Sequence, residues 1–74
     1  MEKLKAVHAG GFVLPAPEWV NWYAMDGTGF WYGYDEEPIQ LGSTWNNKVG
    51  TLKIKLSPMR IPCLLPWDQT LREV

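Results

Sequence analysis

One cysteine and one histidine are all that this chain of 74 residues offers for thiol and imidazole chemistry. No internal disulfide can form, and no tetrahedral nitrogen and sulfur metal site can be built from the chain alone. Long apolar runs are also missing, since none approaches the ~20 residues that span a bilayer. The chain therefore reads as soluble, and its unpaired cysteine points to the cytoplasm. The opening "MEKLKAVHAGGFVLPAP" has a faint likeness to a signal peptide, but Gly10, Gly11, Pro15 and Pro17 interrupt its apolar part too early.

Positive charge is scarce over the first half. Between Lys5 and Lys48 there is no Lys or Arg, while Glu18, Asp26, Asp35, Glu36 and Glu37 fall in that span. From Pro38 to Trp67 the bias reverses, and Lys48, Lys53, Lys55 and Arg60 meet no carboxylate. Four cations are few for a nucleic-acid footprint, so nucleic acid is not an expected partner. The two halves are expected to fold together, with opposite charges across neighbouring strands.

Catalytic constellations are lacking as well. Cys63 sits between Pro62 and Leu64 in an apolar setting that makes a thiol inert, and His8 is remote in sequence. Asp35, Glu36 and Glu37 lack the spaced ligands and glycine turn of a calcium loop. "DGTG" is not followed by the glycines, lysine and helix of a phosphate loop, so it reads as a turn. No catalytic residue, metal or cofactor is expected, and the chain reads as non-enzymatic.

Aromatic residues are what the chain has in abundance. Seven of its ten fall between Trp19 and Tyr34, in "WVNWYAMDGTGFWYGY". Trp19–Met25 and Phe30–Tyr34 suit pleated strands, and the turn between them makes a hairpin. Asp26 fits the start of a type I turn, and Gly29 fits the left-handed residue that closes a three-residue loop. That register groups Val20, Trp22, Ala24, Phe30, Tyr32 and Tyr34 on one face. Trp19, Asn21, Tyr23, Met25, Trp31 and Gly33 take the other. A two-residue turn at Asp26-Gly27 would instead group Trp31 with Trp22. Either way both faces are aromatic, so both must be covered unless one meets a partner.

Elsewhere the signals are weaker. "LKAVHAGGFVLPAPE" reads as a short strand-like segment, ended by glycines and prolines that forbid a helix or a central strand. Ile39–Leu41 reads as a short strand, and "GSTWNNK" as a loop carrying Trp45. "VGTLKIKLS" alternates, with Leu52, Ile54 and Leu56 on one side and Thr51, Lys53 and Lys55 on the other, as in a half-buried edge strand. Pro58, Pro62 and Pro66 punctuate an extended apolar tail over a sheet face. "WDQTLREV" offers one helical turn that needs Trp67 or Leu71 docked. The expected fold is mainly β and a single small domain over residues 1–74. It is a small antiparallel sheet of three to four strands around the aromatic hairpin, with a Pro-rich tail and a short C-terminal helical turn.

Most of the hairpin aromatics are expected in the core, because a small sheet needs their area. The rest are expected at a partner surface. Trp19, Tyr23 and Trp31 are the candidates, since their face also carries Asn21 and Gly33, and Lys53 and Lys55 join them as candidate binding residues.

The residues Trp22, Ala24, Asp26, Gly29, Trp31, Tyr34 and Pro38 form W-x-A-x-D-x-x-G-x-W-x-x-Y-x-x-x-P. With Trp45, and with Trp67, Thr70 and Leu71 in a closing W-x-x-[ST]-L, this pattern resembles small phage and prophage proteins of uncharacterised function. The resemblance spans about two thirds of the chain and carries no catalytic residue. It implies a viral or prophage accessory protein that acts by binding a host or phage macromolecule, as an inhibitor for instance. Two other readings stand beside it: a small-ligand or nucleotide-binding module using Lys53, Lys55 or Arg60, and a self-associating component that buries one aromatic face in a dimer.

Overall fold

The aromatic hairpin forms in the register set by its loop. In the computed structural model, which describes residues 4–42, 44–61 and 63–74, β3 (Trp22–Met25) pairs antiparallel with β4 (Trp31–Tyr34). Met25 faces Trp31 and Ala24 faces Tyr32. Asp26 N–H donates to the Phe30 carbonyl at 2.9 Å, and Gly29 N–H to the Asp26 carbonyl at 3.1 Å. Asp26 Oδ1 also accepts from the Thr28 and Phe30 amides. Gly29 has φ +93°, the left-handed conformation this loop requires. The two-residue alternative is thereby ruled out.

Two further strands complete the central sheet. β7 (Lys53–Lys55) pairs with β4 and β8 (Arg72–Glu73) with β3, in the order β7-β4-β3-β8. A single 3-10 turn, Trp67–Gln69, precedes β8. The architecture is mainly β and antiparallel, with two more hairpins beside the sheet. One joins β1 (Leu4–Ala9) to β2 (Phe12–Pro17) through Gly10 and Gly11, both at positive φ. The other joins β5 (Ile39–Leu41) to β6 (Thr44–Asn46). The first segment is thus two strands instead of one, and Trp45 stands on a strand instead of a loop. Pro15 and Pro17 are tolerated because β2 belongs to a two-stranded sheet and has a free edge.

The hairpins cover opposite faces. Trp22, Ala24, Tyr32 and Tyr34 meet Trp45 of β6 together with Trp67 and Leu71. Tyr23, Met25 and Trp31 meet Ala9 and Leu14 of the β1–β2 hairpin and Ile61 and Cys63 of the tail. Val7 and Ala16 extend that layer over Val20, Ile54 and Leu56. Ser43, expected in a loop, and Pro62, expected to punctuate the tail, lie outside the described residues, as do Met1, Glu2 and Lys3.

Val20 departs from its expected face. It precedes β3, where its N–H bonds the Pro17 carbonyl at 3.1 Å, and it packs over Gly33 on the Tyr23 side. A Cβ at Gly33 would lie 2.8 Å from Val20 Cγ1 and 3.3 Å from Leu56 Cδ1. The missing side chain on β4 is therefore the space that Val20 fills.

Hydroxyls take over where the outer strands end. The β3–β8 register would set Thr70 opposite Met25, and there Thr70 Oγ1 accepts the Met25 N–H at 2.8 Å. The same hydroxyl lies 2.6 Å from the Trp67 carbonyl, to which it donates, so the 3-10 turn is tied to β3. On the other side Ser57 Oγ accepts the Trp31 N–H at 3.0 Å.

Gly33→Ala is expected to destabilise the fold by about 1–3 kcal/mol, because Val20 and Leu56 leave a methyl no room. Equal urea midpoints for the variant and the parent would refute that packing. Thr70→Val keeps the shape but leaves the Met25 amide without an acceptor, at a cost of about 1–3 kcal/mol. Thr70→Ser should recover most of that loss in the same measurement.

Candidate functional site

Both aromatic faces being covered, the three surface candidates on the Tyr23 side change meaning. Trp31 is 3% exposed, and its indole N–H donates to the Ile61 carbonyl at 2.8 Å. It is a core residue, and the expectation that it stands at the surface is corrected. Trp19 is half-buried against Val7, Ala16 and Val20. Tyr23 is half-buried, its ring tilted 42° to that of Trp31 at 6.0 Å. The Asn21 side chain donates to the Asp35 carbonyl and accepts from Lys5 of β1, tying the start of β3 to its neighbours.

Lys53 and Lys55 are exposed, as an edge strand predicts. Their neighbours differ from the expectation of opposite charges across strands. Lys53 faces Tyr34 and Lys55 faces Tyr32. Each lysine leans over the ring two residues before its partner in the chain, which sets Lys53 Nζ 4.5 Å from the Tyr32 ring and Lys55 Nζ 3.9 Å from the Phe30 ring. The Arg60 guanidinium approaches Phe30 at 5.9 Å. Each such contact contributes about 0.5–1 kcal/mol at an exposed site, enough to bias where a flexible cation rests. Three cations are thus arrayed along two half-buried rings, and the carboxylates of the chain lie outside the segment that supplies them.

Arg60 also borders an apolar groove. Phe12 and Leu14 of β2 face Pro58, Met59 and Ile61 across about 370 Å³. Phe12 is 61% exposed although it lies on the inner side of its hairpin, since it stands at the tip beyond the central sheet. An apolar groove with an arginine at its rim has the composition of a protein interaction surface. Sequence reasoning missed it, because Phe12 and Met59 come together only when the first hairpin and the tail fold over one sheet face.

A second cleft, of about 190 Å³, brings His8 and Cys63 together beside Tyr23, Thr70 and Arg72. The two are remote in sequence, and the fold brings both to the lining of this cleft. No hydrogen bond joins them among the described residues, so the thiol lacks the base contact a nucleophile needs. Cys63 is half-buried and packs against the Met25 and Trp31 cluster. Among the described residues no group of three His, Cys, Asp or Glu is placed to hold a metal ion. No helix among them is long and apolar enough to cross a membrane.

Tyr34 is fully buried beneath Trp45, and its hydroxyl has no partner among the described residues. Burial pushes its pKa well above the usual 10, with the negative charge of Asp26 and the neighbouring Tyr32 adding to the rise. Comparison with known protein families, curated proteins and solved structures finds no match. The reading of this surface therefore rests on its own geometry.

The raised Tyr34 pKa has a defined consequence for stability. Below about pH 10 the phenol is protonated in both folded and unfolded chains, and the fold keeps its full stability. As pH rises from there the unfolded chain releases the proton and the folded chain holds it, so stability falls. Tyr34→Phe should leave neutral-pH stability unchanged or slightly higher, since it removes an unpaired hydroxyl. Above pH 10 it should lose less stability than the parent. Parallel urea titrations at neutral and high pH check this, and equal alkaline losses in both proteins would refute it.

Proposed function

We propose that this chain is a non-catalytic binding protein that engages a protein partner through the Lys53, Lys55 and Arg60 side of its central sheet. The carrying observation is that Arg60 joins two features: it borders the apolar groove between Phe12 and Met59 on one face, and its guanidinium approaches the Phe30 ring at the sheet margin where Lys55 and Lys53 lie over Phe30 and Tyr32. An apolar side chain of the partner enters the groove, and its carboxylates meet Arg60 at the groove rim and Lys53 and Lys55 along the sheet edge beyond it. Charge of this kind governs encounter rate and specificity, and the apolar anchor supplies most of the lasting affinity. The likeness to phage and prophage proteins supports a viral accessory role, in which such a surface occupies a host protein or a phage component.

A nucleotide-binding role draws less support. Base stacking needs an open ring face, and Phe30 and Tyr32 already carry cations over theirs. Self-association through the aromatic faces loses its motive, because the two flanking hairpins cover them.

Affinity capture from a host lysate, treated with nuclease, tests the reading on the folded parent and two variants. Lys53→Glu/Lys55→Glu should lower recovery of a specific polypeptide on the order of tenfold, as expected for reversed charge at an interface. Phe12→Ser should lower it as well, while Val49→Ser, at a fully exposed position outside both the groove lining and the strand, should not. Recovery unaffected by both interface variants would refute this surface, and recovery abolished by nuclease would refute a protein partner.

A further inference from the structure

β7 is the outer strand of the sheet, and its backbone bonds alternate in direction. Leu56 N–H donates to the Trp31 carbonyl at 2.8 Å, and Asp35 N–H to the Leu52 carbonyl at 3.3 Å. Leu52 and Leu56 therefore turn their peptide groups toward β4, and Ile54, midway and opposite Gly33, does the same. Lys53 and Lys55 occupy the intervening positions, so their N–H and C=O groups point away from the sheet. The backbone of Tyr32 and Tyr34 opposite them is directed to β3, as the bond from Asn21 N–H to the Tyr34 carbonyl illustrates. Two donors and two acceptors thus stand in strand geometry on an edge that no other strand covers among the described residues.

We propose that β7 receives an extended acidic segment of a partner protein as an added strand, with carboxylates at alternate positions of that segment. The inference rests on the binding reading above and specifies the chemistry of the partner. Residues two apart on a strand share a face and repeat every ~6.6–6.8 Å, so a segment in register with β7 can set one carboxylate beside Lys53 and the next beside Lys55. The lysine heads lean over Tyr32 and Phe30, on the face that carries those rings, which limits the side-chain freedom lost on binding. The added strand satisfies the four outward peptide groups, the main-chain part of such recognition.

The same lysines decide what the edge rejects. A second copy of this chain paired through β7 would set lysine against lysine, a repulsive arrangement that guards edges against self-assembly. A nucleic acid would satisfy the charges but has no peptide ladder for the outward N–H and C=O groups. An acidic strand satisfies both.

Synthetic peptides test this on the intact protein. One alternates glutamate with valine, a second has the same composition with its glutamates contiguous, and a third is the alternating peptide N-methylated at alternate amides. Amide hydrogen exchange and chemical shifts of Lys53 and Lys55 give the readout. The alternating peptide should slow exchange at both amides, the contiguous one should bind about tenfold more weakly, and N-methylation in the pairing register should abolish protection. Equal binding of all three, shifts confined to Phe12 and Met59, or no binding of the alternating peptide would each overturn strand addition. A single-stranded oligonucleotide that protects these amides better than the alternating peptide would overturn it in favour of nucleic acid. The lysate capture separates the two claims: if strand addition fails while recovery still depends on Lys53 and Lys55, the protein-binding surface stands without it.

Discussion

A hairpin of two four-residue strands with large apolar side chains on both faces needs cover on both sides, and this chain has little with which to supply it. It uses two small hairpins, one over Tyr23, Met25 and Trp31, the other over Ala24 and Tyr34. Isolated hairpins of this size are marginal in water, so each cover depends on the sheet beneath it as much as the sheet depends on the cover. Indole N–H groups make the attachment specific. Trp45 donates to the Met25 carbonyl at 3.1 Å and Trp31 to the Ile61 carbonyl at 2.8 Å, so a layer on each face is fixed by one bond that a phenylalanine could not form.

Met25 is where these ties converge. Its side chain packs with Ala9, Trp31 and Ile61, its carbonyl holds Trp45, and its amide is held by Thr70. Because Met25 faces away from β4 in the hydrogen-bonding direction, its peptide groups would be orphaned where β8 gives way to the 3-10 turn. A threonine hydroxyl and an indole take the place of the missing strand. Ser57 does the corresponding work for Trp31 on the other side, where the chain leaves β7. Both outer strands can therefore be very short without leaving the Met25 and Trp31 amides unpaired, and on β7 the outward peptide groups belong to solvent-facing Lys53 and Lys55.

How much of this could be read beforehand follows from the range of each signal. The Asp26 to Gly29 turn, the β7 alternation and the C-terminal turn were legible because each is decided within a few residues, whereas the hairpin register stayed open between a three-residue and a two-residue loop. The Gly10-Gly11 pair was equally local and is a strong two-residue hairpin signal, but the prolines drew the reading toward an ending. Pro15 and Pro17 forbid only a central strand, and β2 is not one. Trp31 was misplaced for a long-range reason. Its face looked the less apolar because it carries Gly33 and Asn21, yet Gly33 is the seat for Val20, and Asn21 is engaged by Lys5 and Asp35. Neither partner is visible from the alternation of one hairpin, nor is the meeting of Phe12 with Met59.

The covered faces also explain why recognition is assigned to an edge. Once Trp31 and Tyr34 are enclosed, Phe30 and Tyr32 remain half-buried at the margin of the sheet, and the lysines of β7 lie across them. Those cations cost the fold little, since their charge stays in water and their stems lie along the sheet. Replacing them with threonine or valine would suit the strand equally well but would leave an edge open to any extended chain. Lysine at both outward positions makes the edge selective, because a strand that docks there must bring negative charge at the same two-residue repeat. The constraint that closes the aromatic faces thus leaves β7 as an outer strand whose outward peptide groups both belong to exposed lysines.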